Sequence, residues 1–214
     1  MSLVNTHGEE NRAREAICDI ARSLYQRGYT HGSTGNISVR HGDGYLMTPT
    51  GATLGGLDPA RLSRLDAHGA LLDGDKPTKE LFLHMSVYER RLTEGAVIHL
   101  HATHSTAVSI LADVDPENVL PPLTAYYVMR VGSLPLIPYY APGDMALADA
   151  VRARADRHRA VLLANHGPVV AGSSLAAASD AIEELEATAR LYLMLRGAPV
   201  RMLTNEQVRE LQSR

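Results

Sequence analysis

The sequence predicts a single α/β domain over residues 1–214, with a mixed or antiparallel central β-sheet flanked by helices. Three observations carry that prediction. The chain has 214 residues, 45% of them hydrophobic, which suffices for one substantial core and requires no second one. Strand-like and helix-like segments follow one another without the regular βα alternation of a parallel, doubly wound sheet. No internal repeat, low-complexity tract or linker interrupts them.

From the N-terminus, AREAICDIARSLYQRGY repeats apolar residues at helical spacing, with Ile17, Ile20, Ala21 and Leu24 on one face and Gly28 suited to the stop. The glycine- and hydroxyl-rich HGSTGNIS reads as a loop. Two β-like pieces follow, at 37–40 and 45–48, joined by HGDG, whose Asp-Gly pair signals a turn. TPTGATLGGLDP is a second loop. TKELFLHMSVYERRL predicts a helix with Thr78 as its N-cap after Pro77. GAVIHLH predicts a strand, and THSTAVSILA a helix that starts directly after it. PPLTAYYVMRVG predicts a short helix, while LPLIPY, RAVLLANHG and PVVAG predict strands. SLAAASDAIEELEATARLYLMLRG has the period of a long helix, capped by a serine and ended by Gly197. A short helix over 204–213 completes the chain.

Composition excludes several function classes. A net charge of −3 with 21% charged residues provides no basic footprint for nucleic acid. No apolar run approaches the roughly 18 residues needed to span a bilayer. MSLVNTHGEENRAREAI is polar and acidic, unlike a secretory signal or a basic transit peptide. Cys18 is the only cysteine, so neither an intrachain disulfide nor a thiolate-rich zinc site can form; its amphipathic helix suits a buried apolar role. The expectation is a reduced, soluble, cytoplasmic protein. Aromatic usage is lopsided, with no Trp, one Phe and nine Tyr, and the tyrosines cluster in AYYVM and IPYYAPGD.

Four pieces carry chemistry. In VIHLH, strand alternation points His99 and His101 the same way, roughly 6 to 7 Å apart at Cα. That spacing lets two imidazoles converge on one ion at about 2.0 to 2.1 Å each. By itself the pair is equally a pair of hydrogen-bonded structural histidines. His104, past the expected strand end, is read as substrate-facing or structural rather than as a ligand. In LLANHGPVV, the polar Asn165-His166-Gly167 interrupts a hydrophobic run at a sharp turn, which can project His166 into a cleft or merely satisfy a turn carbonyl. Three convergent imidazoles with an open position make a catalytic metal arrangement. In KPTKE, Glu80 falls in the first turn of the expected helix, where the dipole favours its charge. It can stabilise the helix, ligate metal or move protons, and His84 at i+4 reads as a buried hydrogen-bonded support. The loops STGN, PTG and PTK each offer hydroxyls or free backbone N–H groups, a chemistry suited to phosphate oxyanions, although each is also an ordinary turn when taken singly.

Taken in order, GSTGNIS, TPTG, Glu80 with His84, VIHLHATHSTAVSIL, LLANHG and the long C-terminal helix resemble the class II aldolase/adducin superfamily, over residues 10–196. PTKE and DPENVLPPLTAYYVMRVGSLPLIPYYAPGD are most similar to its branch of 3-oxo-tetronate 4-phosphate decarboxylases. The resemblance implies a three-layer α/β/α domain with a mostly antiparallel sheet. It also implies a metal held by His99, His101 and His166, either zinc or another divalent ion such as Mn2+ or Co2+. The family's acid/base glutamate, which can also ligate the empty metal site, falls on Glu80. Phosphate contacts fall on Ser33, Gly35, Asn36, Thr50, Gly51, Thr78 and Lys79. A proton-donating tyrosine from a neighbouring subunit falls on Tyr126 or Tyr127, in a homotetramer with sites between subunits. The sugar-phosphate aldolases of the family carry a Ser-Ser pair where this chain has Thr78-Lys79, a departure that adds a cation.

The activity implied is metal-dependent decarboxylation of a phosphorylated four-carbon sugar acid to dihydroxyacetone phosphate and carbon dioxide, through an enediolate. Lys79 is left to bind either the phosphate or the departing carboxylate. A fuculose-1-phosphate aldolase-like enzyme is the alternative, since it reaches the same enediolate with a different leaving fragment. A ribulose-5-phosphate 4-epimerase-like enzyme and a non-enzymatic adducin-like interaction module rank lower. The last predicts eroded ligands, whereas Glu80, His99, His101 and His166 are all present.

Overall fold

The computed structural model describes residues 3–141 and 143–213. Its strands are β1 Asn36–His41, β2 Gly44–Met47, β3 Ser63–Leu65, β4 Leu71–Asp73, β5 Ala96–His99, β6 Leu136–Ile137, β7 Ala160–Leu163 and β8 Gly167–Gly172. They form one sheet in the order β4-β3-β2-β1-β5-β8-β7-β6. Every neighbouring pair is antiparallel except β6–β7. The helices are α1 Leu3–Gln26, α2 Leu81–Tyr88, α3 Thr103–Ile110, α4 Ala125–Arg130, α5 Ala146–Ala155, α6 Leu175–Leu195 and α7 Asn205–Gln212.

The period of two along the central strands sorts the core into two layers. Ile37 and Val39 of β1, Ala96 and Ile98 of β5 and Val170 of β8 pack with Ile17 and Leu24 of α1, Val108 of α3 and Ile182 and Leu185 of α6. Val97 of β5 and Val169 and Ala171 of β8 point the other way, onto Leu83 and Val87 of α2 and Leu147 and Val151 of α5. Helices therefore cover both faces, as the resemblance implied. Asn36 and Ser38 share the α2 face of β1, as His99 shares it with Val97 on β5, and the antiparallel register sets Asn36 directly opposite His99.

Several boundaries differ from the sequence reading, each for a local reason. Pro77 and Thr78 do not open a helix. They run beside Thr48–Thr50 through a Pro49–Pro77 bridge and the bonds Thr50 N to Lys76 O (2.9 Å) and Thr78 N to Thr48 O (3.3 Å). α2 consequently starts at Leu81, and Glu80 rather than Thr78 is its N-cap. β5 stops at His99, so His101 lies beyond the strand. The expected 159–167 strand is only Ala160–Leu163, because residues 164–166 form the turn into β8. α5, β3 and β4 had no counterpart in the sequence reading.

Candidate metal centre

Four side chains from three separate segments converge at one end of β5. Glu80 enters from the start of α2, His99 and His101 from the end of β5, and His166 from the turn between β7 and β8. One ligand atom from each of the four lies within 4.8 Å of all the others. The imidazoles meet edge-on, with ring centroids 5.1 Å apart for His99–His101, 4.8 Å for His99–His166 and 4.6 Å for His101–His166. His166 Nε2 is 3.0 Å from His101 Nε2 and 3.3 Å from Glu80 Oε1, while His99 Nε2 is 3.6 Å from Glu80 Oε2.

Backbone geometry explains how distant residues are brought together. Asn165, at φ 58°, is the one non-glycine with positive φ among the described residues; its short polar side chain tolerates that region and tightens the hairpin. Gly167 permits β8 to start against residue 100: a Cβ there would lie 2.2 Å from the Leu100 carbonyl oxygen and 3.3 Å from His101 Cα. The same contact carries His166 to His101. α3 then fastens both segments, since Thr106 Oγ1 donates to the His166 carbonyl (3.0 Å) and Asn165 N donates to Ser109 Oγ (3.1 Å).

The protonation states favour ligation. His99 is fully buried, and its Nδ1 faces the Pro168 carbonyl at 2.9 Å, so the proton sits on Nδ1 and the Nε2 lone pair faces the site. That Nε2 is a buried polar atom with no hydrogen-bond partner, a costly arrangement in an apolar setting unless another group completes it. Burial, with His99 and His166 as neighbours, pushes His101 down to about 3, and burial lowers His99 as well. Burial would raise the Glu80 carboxyl, but hydrogen bonds from His166 and Asn36 outweigh it and hold the group well below the usual carboxylate range. The donor set is therefore two imidazoles that burial keeps neutral, the His166 ring and one carboxylate, which fits a divalent ion such as zinc.

Around this cluster, Asn36 is 4% exposed and engaged at both ends. Its Nδ2 donates to Glu80 Oε2 (2.7 Å) and Thr78 Oγ1 (3.3 Å), and its Oδ1 faces His84 Nε2 (2.5 Å). Asn36 thus sits at the seam between the carboxylate and the expected phosphate loops. Those loops gather at the same end of β1 and β2. Ser33, Thr50, Gly51 and Lys79 are exposed there, Gly35 and Thr78 half-buried, and a Cβ on Gly35 would meet the His99 carbonyl at 3.0 Å.

Of the two tyrosines expected to donate across a subunit boundary, Tyr127 is fully buried in its own core and Tyr126 is 60% exposed. His104 turns away from the cluster to Glu186, with Nδ1 at 2.8 Å from Oε1. Sequence reasoning missed Ser38, which sits beneath His84, although its alternation with Asn36 was a readable signal.

Comparison with known proteins agrees with this architecture. The protein named 3-oxo-tetronate 4-phosphate decarboxylase of Escherichia coli K12 is 49% identical over 205 residues, covering 95% of this chain and 97% of that one. The L-fuculose phosphate aldolase of the same strain is 33% identical over 204 residues, covering 94% and 92%. The crystal structure of YgbL from Escherichia coli superposes with a TM-score of 0.93 at 48% identity, over 95% of this chain and 99% of that one. The Class II Aldolase and Adducin N-terminal domain matches residues 15–193, and the chain belongs to that family.

Proposed function

We propose that the chain is a 3-oxo-tetronate 4-phosphate decarboxylase whose active centre is the Glu80, His99, His101 and His166 cluster. The observation that carries this is the fully buried, unpartnered His99 Nε2 facing an ionised Glu80, in a chain about half identical to proteins of that name. His99, His101 and His166 hold a divalent ion, zinc or a metal like it. When bound, such an ion supplies Lewis acidity toward oxygen atoms that gain negative charge.

The substrate is a β-keto acid: a carboxylate on C1, a hydroxyl on C2, a ketone at C3 and a phosphate on C4. Glu80, ionised in the resting site, takes the proton of the C2 hydroxyl. The C1–C2 bond breaks, carbon dioxide leaves, and the electron pair passes through C2 to the C3 oxygen as an enediolate. Glu80 returns its proton to C2, and the C2 oxygen takes one from solvent, which yields dihydroxyacetone phosphate. Ser33, Gly35, Thr50, Gly51 and Thr78 hold the phosphate, so that binding at the non-reacting end orients the bond that breaks, while Asn36, whose amide is already spent on Glu80, Thr78 and His84, holds the Glu80 carboxylate instead. Lys79, exposed and next to Glu80 in sequence, meets either the phosphate or the carboxylate. Tyr126 of a neighbouring subunit supplements the proton supply in a homotetramer, and the enzyme works in the cytoplasm.

A coupled assay for dihydroxyacetone phosphate tests the reading. Turnover is expected with a 3-oxo-tetronate 4-phosphate, and retro-aldol cleavage of ketose 1-phosphates is expected to be at least a hundredfold slower. The opposite ranking would make the chain an aldolase. Lys79→Ser, which restores the hydroxyl of the aldolase pattern, should lower kcat/KM for decarboxylation by ~10- to 100-fold, the scale of one lost charged hydrogen bond. Bound zinc should be unchanged. Wild-type kinetics in that variant would remove Lys79 from the mechanism.

A further inference from the structure

The Glu80 carboxylate has to face both the imidazoles and the substrate, and the residues that aim it lie beneath the site rather than in it. Asn36 is the immediate contact. An asparagine amide is nearly symmetric in shape, so the end it turns toward a neighbour is set by what bonds its other end. That other end meets His84, which is fully buried, with Nε2 2.5 Å from Asn36 Oδ1. On the far side of the ring, Nδ1 lies 2.7 Å from Ser38 Oγ. Ser38 Oγ is in turn 2.9 Å from the Tyr88 hydroxyl, which also reaches the Ser38 carbonyl at 3.1 Å. Ser38 and Tyr88 are each 1% exposed, so solvent supplies none of these bonds.

The direction of each bond follows from one end. A carboxylate only accepts, so Asn36 donates to Glu80 and keeps Oδ1 for His84. His84 must then donate from Nε2. A neutral ring with its proton on Nε2 accepts at Nδ1, so Ser38 donates there. The reverse order would turn Asn36 Oδ1 toward Glu80 and set two acceptor oxygens against each other. Two periodicities create the arrangement: Asn36 and Ser38 alternate onto one face of β1, and Glu80, His84 and Tyr88 recur every fourth residue from the N-cap of α2 to its last residue.

We propose that His84 is a positioning residue for Glu80: its Nε2–H, held in that tautomer by Ser38, fixes the asparagine that aims the carboxylate at His99 and His166. The proposal rests on the metal-centre reading given above. It concerns how the carboxylate is placed, and metal affinity reports that placement without turnover.

The test is a double-mutant cycle on zinc affinity, read by competition with a chromophoric chelator on the metal-stripped full chain. His84→Leu is expected to weaken zinc binding about tenfold when Glu80 is present. In a Glu80→Ala background the same change should cost less than twofold, because no carboxylate remains to misplace. His84→Gln, whose carboxamide reaches the Nε2 position, should return affinity to within about threefold of wild type. With the loaded enzyme, His84→Leu should lower kcat while KM moves less than about threefold. Equal losses in the two backgrounds, or wild-type affinity in His84→Leu, would overturn the proposal. If His84→Leu fails to fold by circular dichroism, Ser38→Ala takes its place in the cycle, with a loss of about threefold expected only when Glu80 is present; equal losses would again overturn it. A wild-type chain that takes up no zinc would overturn the metal-centre reading and this proposal with it, whereas additive losses in a zinc-binding chain overturn this proposal alone.

Discussion

His101→Ala is expected to empty the metal centre: zinc content should fall from about one ion per chain to less than about a tenth, and decarboxylation by ~1000-fold or more. His101 Nε2 sits 3.0 Å from His166 Nε2, and burial keeps the ring neutral down to about pH 3. A neutral imidazole has a lone pair ready for a cation, and without it only two imidazoles and a carboxylate remain. The control lies three residues away. His104 belongs to the same histidine-rich stretch, yet its ring pairs with Glu186, which also accepts from the backbone N–H groups of His104 and Ser105. His104→Ala should retain zinc and turnover while losing about 1 kcal/mol of stability, as befits one partly exposed hydrogen bond. Elemental analysis of both variants decides the matter. Stoichiometric zinc in His101→Ala would remove that residue from the ligand set.

That contrast also measures how far the sequence was legible. Alternation along β5 assigned His99 its face, and the polar break in LLANHG marked His166, because both signals are local. His101 is harder: the strand ends at His99, and what holds His101 in place is the contact of Gly167 with the Leu100 carbonyl, between residues far apart in sequence. The helix expected from Thr78 failed because Pro77 and Thr78 satisfy their backbone by pairing with the 48–50 loop, a tertiary bond that helix propensity cannot anticipate. α5 escaped notice because its buried positions, Leu147, Ala148, Val151 and Ala155, are half alanine and interleaved with arginines. β3 and β4 are three residues each, too short for a period of two to register, and β4 is exposed throughout. Asn36 is the instructive case. Its loop composition pointed to phosphate, yet its side chain spends its strongest bond on Glu80.

The second large effect concerns that carboxylate. Glu80→Gln keeps the shape of the side chain and can still accept from Asn36, but it can no longer take a proton. The kcat for decarboxylation is expected to drop by ~100- to 10,000-fold, the range of a lost general acid–base, while substrate still binds. Loss of rate alone does not separate proton transfer from carbon–carbon cleavage, so the informative measurement is the half-reaction that involves no cleavage. By microscopic reversibility, a Glu80 that delivers a proton to C2 also removes one from the hydroxymethyl carbon of dihydroxyacetone phosphate. Wild-type enzyme incubated with that product in deuterium oxide should wash one deuterium into the carbon, as read by proton NMR, without carbon dioxide being present. Glu80→Gln should lose this exchange by at least the factor lost in kcat, because the same group serves both directions. If the variant exchanges at the wild-type rate, another group handles the proton. The exposed Tyr126 would then be the candidate to mutate, and Glu80 would be left to the metal and to its bond with Asn36.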